Sequence, residues 1–206
     1  MFVPWTPYDA WSYSYLLGLY LGDGSVIRHA RAERLVITLD GIYPKIIEDA
    51  VASVQLAVPH QRVSALPVKA SRAIVVQSYA QHWHDVFPQA GPGRKHERPI
   101  VLAAWQRAVV DAHPEQFLRG LIHSDGCRTI NRFKTKLPSG RVAEYEYPRY
   151  FFSNLSADIR GLFCEYCERL GVRWTQSNHR NISVSHRRSV AILDGFIGPK
   201  SRPRAA

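Results

Sequence analysis

Two acids, Asp23 and Asp125, each stand immediately before a glycine at the end of a short apolar run: "YLLGLYLGDGS" at 15–25 and "FLRGLIHSDGC" at 117–127. A helix C-terminus already carries roughly half a negative charge. A carboxylate there adds to it, and two such ends side by side repel. A hard divalent cation, bound by carboxylate, carbonyl and water oxygens, turns that repulsion into a site. A single Asp-Gly is an ordinary turn. Two of them, with matched small residues before them and a matched order of elements after them, are not explained that way.

For the acids to meet, the helices carrying them must touch. Gly18 and Gly22 are four residues apart on one helical face, as are Gly120 and Ser124. Such small-residue faces let two backbones approach closely. Gly24 and Gly126 are expected to end the helices in the left-handed conformation.

The remaining pattern supplies the supports. Asp9 is placed to cap the first helix, which ends near Gly22. Strands follow at 25–30 and 34–40, then a helix at 43–57, two strand-like runs ("HQRVSAL", "RAIVVQSY") and a short helix in "AQHWHDVF". The spacing predicts a linking helix over 100–112. The order then repeats. A helix starts at Pro114, strands run near 126–135 and 145–154, and a helix is capped by Ser156 and closed by Gly171. "VRWTQSN" and "NISVSH" read as a hairpin, and "RRSVAILDGF" as a helix. Even the tails match, "GPGRKHERP" against "GPKSRP". The chain therefore divides into halves at 1–98 and 99–206, a duplication with approximate two-fold symmetry.

Composition narrows the partner. The 206 residues carry 27 Lys+Arg against 17 Asp+Glu, a net charge of +10, which favours a polyanion. No apolar run is long enough to span a bilayer, no signal peptide is evident, and three cysteines do not make a disulfide framework. A cytoplasmic location is expected, nucleoid-associated in a bacterium. Cys164 and Cys167 read as core residues rather than half a zinc site. Trp5, Trp11, Trp83, Trp105 and Trp174 read as core or interface anchors.

Leu16-Leu17-Gly18-Leu19-Tyr20-Leu21-Gly22-Asp23-Gly24 and Leu118-Arg119-Gly120-Leu121-Ile122-His123-Ser124-Asp125-Gly126 resemble two copies of the LAGLIDADG motif. The likeness extends over the element order of residues 9–200. It implies a monomeric homing endonuclease with an α+β fold: two αββαββα halves, two saddle-shaped antiparallel sheets, and the motif helices at the interface. It also implies that Asp23 and Asp125 bind divalent metal, normally Mg2+, with Mn2+ or Ca2+ as in vitro substitutes, and that the carbonyls of Gly22 and Ser124 are further ligands. The family's first motif acid is replaced by Leu21 and His123. His123 reads as a packing residue.

Metal held by shared acids meets the needs of phosphodiester hydrolysis: activated water, polarised phosphate and a stabilised leaving oxygen. The resemblance also implies a basic residue near each centre that orders or polarises water; Lys95 follows Asp23, and Lys200 follows Asp125, at nearly the same distance, which makes them the candidates. Arg94 and Lys69 compete for the first role, and Thr38 and Ser153 are weaker candidates to organise water. The expected partner is double-stranded DNA with a long asymmetric target, and the resemblance implies cuts across the minor groove that leave short 3′ overhangs. Its contacts are expected from Arg28, Arg31 and Arg34 on the first hairpin, and Arg62, Lys69 and Arg72 on the next. Arg128, Arg132, Lys134, Lys136 and Arg141 would act on the long hairpin, and Arg173 and Arg180 on the last. Which of them read bases and which hold phosphates stays open. The competing reading is a scaffold that kept binding without cleavage, either a DNA-binding regulator or an RNA maturase.

Overall fold

A computed structural model describes residues 5–198 and 200. The elements are α1 (Ala10–Asp23), β1 (Gly24–Arg28), β2 (Glu33–Asp40), α2 (Pro44–Ala57), β3 (Val63–Pro67), β4 (Ala73–Ala80) and α3 (Trp83–Val86). Then come α4 (Ala104–Ala112), α5 (Pro114–Asp125), β5 (Gly126–Lys136), β6 (Val142–Ser153), α6 (Ala157–Arg169), β7 (Thr175–Gln176), β8 (Asn181–Val184) and α7 (Arg187–Asp194). The strands form two antiparallel four-stranded sheets of identical topology, β1-β2-β4-β3 and β5-β6-β8-β7. No helix among the described residues is long and apolar enough to cross a membrane.

Local chemistry explains most boundaries. The Asp9 carboxylate accepts from Trp11 N at 3.1 Å and from the Ser12 hydroxyl at 2.6 Å, closing the start of α1. Proline opens α2 and α5. Ser156 caps α6, and Gly171, at φ +68°, turns the chain away after it. The linking helix is shorter than the periodicity predicts. It starts at Ala104 because Gln106 accepts from Ala103 N at 2.9 Å, which fixes the first turn there. Residues 100–103 stay non-helical and bury Ile100 and Leu102 in the core.

Helix α1 is buried from Ser12 to Leu21, as expected for a helix apolar on all sides. Its second layer is aromatic: Tyr20 stacks on Phe87 with ring centroids 4.0 Å apart, and Tyr13 and Trp83 flank the same Phe87. Trp83 is fully buried, and Trp5, Trp105 and Trp174 pack against the core. Trp11 departs from expectation and is 48% exposed, because it sits in the first turn of α1 beyond the neighbouring helices.

The α1–α5 contact is backbone on backbone. A Cβ placed on Gly18 would lie 2.4 Å from the Phe117 carbonyl oxygen, and one on Gly120 would lie 2.2 Å from that of Tyr15. One step further down, a Cβ on Gly22 would lie 2.5 Å from that of Ser124. Ser124 is accommodated because its hydroxyl folds back onto the carbonyls of Gly120 and Leu121, at 3.0 Å each.

Candidate active site and nucleic-acid interface

Helices α1 and α5 end at Asp23 and Asp125 and pass straight into the first strand of each sheet. Gly24 and Gly126 are extended, at φ −93° and −108°, rather than left-handed. Their requirement for glycine is steric. A Cβ would lie 2.6 Å from the Tyr20 backbone in the first case and 2.6 Å from the Ile122 side chain in the second. Each helix thus converts into a strand with no intervening turn, which leaves its acid at the junction of the two layers.

Both acids line one cavity of about 500 Å3, together with Ser25, Lys95, Arg98, Ser153 and Asn154. A second cavity, of about 490 Å3, lies on the other side of Asp23 and is lined by Thr38, Asp40, Arg72, Ser124 and Lys200. Burial, then the charge of Asp125, pushes the Asp23 carboxyl up to about 6, against the opposing pull of Lys200 and Lys95. Asp125 is also raised by burial, partly offset by a 2.6 Å hydrogen bond from Asn154 Nδ2. Asn154 is locked in turn, since its Oδ1 accepts from Ser156 N at 2.7 Å. The register places Leu39 where the second half has Asn154, since Gly24 pairs Ile37 and Gly126 pairs Phe152. The acids therefore differ in their support.

The lysines are matched. Lys200 Nζ donates to the carbonyls of Ile122, His123 and Ser124, at 3.0, 2.7 and 2.8 Å. Lys95 Nζ donates to those of Tyr20, Leu21 and Gly22, the last two at 3.0 and 3.3 Å. These are free carbonyls of a helix end, and an ammonium there opposes the helix dipole. Burial lowers both lysines to about 8. Arg94 and Arg98 line the first cavity as well. Lys69 lies in the β3–β4 turn and lines neither cavity. Beyond Lys200, the matching tail at 199 and 201–206 lies outside the described residues.

The site fits a hard cation. The carbonyls of Gly22 and Ser124 keep a second lone pair beside the lysine bond, next to the carboxylates of Asp23 and Asp125. Such a set is incomplete by itself, which suits Mg2+, since that ion is usually held by one or two carboxylates, waters and substrate phosphate. Among the described residues no group of three or more His, Cys, Asp or Glu gathers at one point. His123 is buried; its Nδ1 meets the Tyr15 hydroxyl at 2.9 Å and its Nε2 the Ile197 carbonyl at 2.9 Å, and burial lowers it to about 4. It packs and holds no free electron pair toward the acids. Cys167 is buried and Cys164 partly so, and burial raises both thiols.

Strand pairing sorts the basic residues by face, since directly opposed residues share a face and neighbours alternate. In the first sheet Leu35, Ile37 and Leu39 face the helices, so Arg34, Val36 and Thr38 face outward with Ser25, Gln77 and Tyr79. Thr38 and Ser153 open onto the cavities beside the acids, so this outer face is the one continuous with the site. Arg34 lies on it, held to Gln77 Oε1 from Nε at 2.8 Å. Arg31, Arg62, Lys69 and Arg72 are exposed at strand ends and turns, Arg72 with Asp40 at 3.3 Å. Arg28 pairs Glu33 in register and faces the helix side, with Glu33 at 3.2 Å.

The second sheet places its basic residues differently from the expectation. Tyr150 and Phe152 are buried under the helices, so Arg128, Arg132, Lys134 and Lys136, opposed to Tyr150, Glu146, Glu144 and Val142, share that side. Arg128 makes a two-pronged bond to Asp194 at 2.7 and 2.9 Å; Arg132 pairs with Glu146 and Lys134 with Glu144. These four are turned from the outer face because one residue of register sets the side of the whole strand. The outer face carries instead Thr129, Asn131, Phe133, Thr135 and Arg149, with Tyr145 and Tyr147, two of the aromatics interleaved in this hairpin's sequence. Alternation counted from buried Phe152 was the available signal. Arg141, Arg173 and Arg180 are exposed in turns. Asn154 and Arg98 were also missed, the first as part of a loop and the second as one charge in a basic tail.

No protein-family model matches the chain, and no curated protein matches it. Solved structures do. The chain is similar to I-DmoI in complex with DNA and Mn, at TM-score 0.56 and 16% identity over 93% of this chain and 99% of that one. It is similar to the homing endonuclease I-WcaI bound to its DNA recognition sequence, at TM-score 0.54 and 12% identity over 95% and 84%. It is similar also to the I-LtrWI LAGLIDADG homing endonuclease bound to target DNA, at TM-score 0.53 and 10% identity over 92% and 82%. The chain has the α+β LAGLIDADG fold, duplicated within a single chain.

Proposed function

We propose that the chain is a sequence-specific DNA endonuclease that hydrolyses one phosphodiester bond on each strand of a duplex. The observation that supports it most is the convergence of Asp23 and Asp125 at the ends of glycine-apposed helices, between two cavities that each hold one lysine. The DNA-bound state of the similar structures supports the same reading.

In this reading the halves 1–98 and 99–206 each serve one strand, in a monomer. Asp23 and Asp125 hold the divalent ion, Mg2+ in the first instance, with the carbonyls of Gly22 and Ser124. When bound, such an ion polarises phosphate and activates water. The lysines neutralise the carbonyl ends and keep two carboxylates close enough to share a ligand. Three carbonyls hold each ammonium in place, so its charge stands fixed beside the acids, where it orders the water and phosphate that reach them. Asn154 positions Asp125. The outer faces of the sheets lie along a long, asymmetric target in the major groove, with Arg31, Arg34, Arg62, Lys69, Arg72, Arg141, Arg173 and Arg180 as phosphate or base contacts. A non-cleaving regulator or maturase would have no need of both acids.

The test is incubation of a randomised duplex library with the full chain and Mg2+, followed by sequencing of the ends. Cut ends sharing one extended sequence are expected. Ends with no shared sequence, or cutting that survives both Asp23→Asn and Asp125→Asn, would refute the assignment.

A further inference from the structure

The long β5–β6 hairpin carries a feature that phosphate binding does not require. Strand β8 pairs β6 only from Tyr150 to Ser153. Residues 130–136 and 142–148 therefore extend past the four-stranded sheet as a two-stranded ribbon, about 23 Å long at 3.3 Å per residue. A ribbon of this kind fits a major groove and covers about seven base pairs.

Its two faces differ in chemistry. On the helix side, Arg132–Glu146 and Lys134–Glu144 neutralise each other. On the outer side, continuous with Ser153 and the acids, Phe133, Tyr145 and Tyr147 form a ladder with centroids 5.4, 5.9 and 6.1 Å apart and planes within 28°. Phe133 is 43% and Tyr147 47% exposed. Because the rings stack on one another, they present rims, and a base cannot slide between them without parting them. Thr129, Asn131 and Thr135 flank them on the same face. Apolar rims flanked by the polar side chains of Thr129, Asn131 and Thr135 match the major-groove edge of base pairs, where thymine's C5 methyl is the one apolar group.

Resting on the DNA reading above, we infer that Phe133, Tyr145 and Tyr147 read thymine by its 5-methyl group in the half-site under the β5–β6 ribbon. The ribbon is then specific for a methylated pyrimidine edge. Deoxyuridine, which pairs as thymine does but lacks the methyl, is the discriminating probe.

A duplex is first selected by retention on the full chain, whether or not it is cut, and its affinity is measured by gel shift. Each thymidine of one half-site is then replaced by deoxyuridine. Wild type should lose about four-fold affinity per contacted methyl, in one half-site only. Phe133→Thr with Tyr145→Thr and Tyr147→Thr keeps β-forming residues on the ribbon; it should bind thymidine and deoxyuridine duplexes equally. Phe133→Leu with native Tyr147 should retain part of the discrimination. Equal wild-type affinity for both duplexes, selected sites without thymine there, or discrimination that persists in the triple threonine variant would each overturn the inference. A duplex retained but never cut would sink the cleavage reading while leaving this test in force. No retained duplex would overturn both, and preferential capture of single strands would reassign the ladder to base stacking.

Discussion

Lys95 and Lys200 occupy equivalent places: each ammonium sits on the three carbonyls that end its own motif helix, Tyr20-Leu21-Gly22 in one case and Ile122-His123-Ser124 in the other. The two acids therefore share a balanced charge environment, each helix end offset by one cation.

Lys95→Met and Lys200→Met should each slow cleavage far more than they weaken DNA binding, because neither side chain lies on the outer face of a sheet. Each should also impair one strand more than the other. Strand-resolved cleavage of an end-labelled duplex, beside a gel-shift Kd, reads both effects. Equal losses in Kd and in rate would reduce the lysines to phosphate contacts.

Asp23→Asn should stabilise the metal-free protein while removing cleavage. The Asp23 carboxyl is raised to about 6 in the fold from 3.8. A raised acid destabilises the fold above its folded pKa, and the penalty disappears as pH falls from about 6 toward 3.8. Neutralising it at pH 7.5 should add up to about 3 kcal/mol, less whatever the lysines lose. Thermal melts in EDTA at pH 7.5 and 5 measure it: the variant should lead at 7.5 and the gap should narrow at 5. A lower melting temperature for Asp23→Asn at pH 7.5 would contradict the cost of burying this carboxylate beside Asp125.

Gly18→Ala and Gly120→Ala each force a methyl to within 2.4 and 2.2 Å of a facing carbonyl oxygen. Each should cost at least about 2 kcal/mol, since backbone cannot rotate out of the way as a side chain does. Gly161→Ala, with open space around its Cβ position, is the control and should leave the urea midpoint unchanged or higher. A midpoint for Gly120→Ala equal to wild type would show that the helices separate easily.

Asn154→Ala removes the hydrogen bond that lowers Asp125. The acidic limb of the cleavage pH profile should move upward, and Asn154→Asp should not restore it, because a carboxylate cannot donate. Leu39 stands at the matching place in the first half, so Leu39→Ala should leave that limb in position even where it lowers stability.

The sequence made the duplication legible because its signals were local. Asp-Gly after a small-xxx-small face, proline and serine at helix starts and apolar alternation in strands all act within a few residues. Lys95 and Lys200 were reached by another route, the matched order of the two halves and of their distances from the acids. What neither carried was the side on which a strand's charges fall. Arg128 and Cys127 are neighbours, yet one binds Asp194 under the helices and the other lies on the outer face. Counting cations along β5 cannot separate them; counting back from Phe152 can. Asn154 escaped because its role depends on an acid 29 positions away. Gly24 and Gly126 were chosen for the right residue and the wrong reason, since a helix that turns directly into a strand needs absence of bulk rather than positive φ.

The apposition of Gly18 on Gly120 has one more consequence. With main chain resting directly on main chain, no layer of side chains remains to slip or repack, and the two motif ends form a ruler of fixed length. In the proposed reaction the stagger between the two nicks is therefore a property of the polypeptide. An extra base pair inserted at the centre of a target has to be absorbed by bending or unwinding of the DNA, because the protein has no joint there to open.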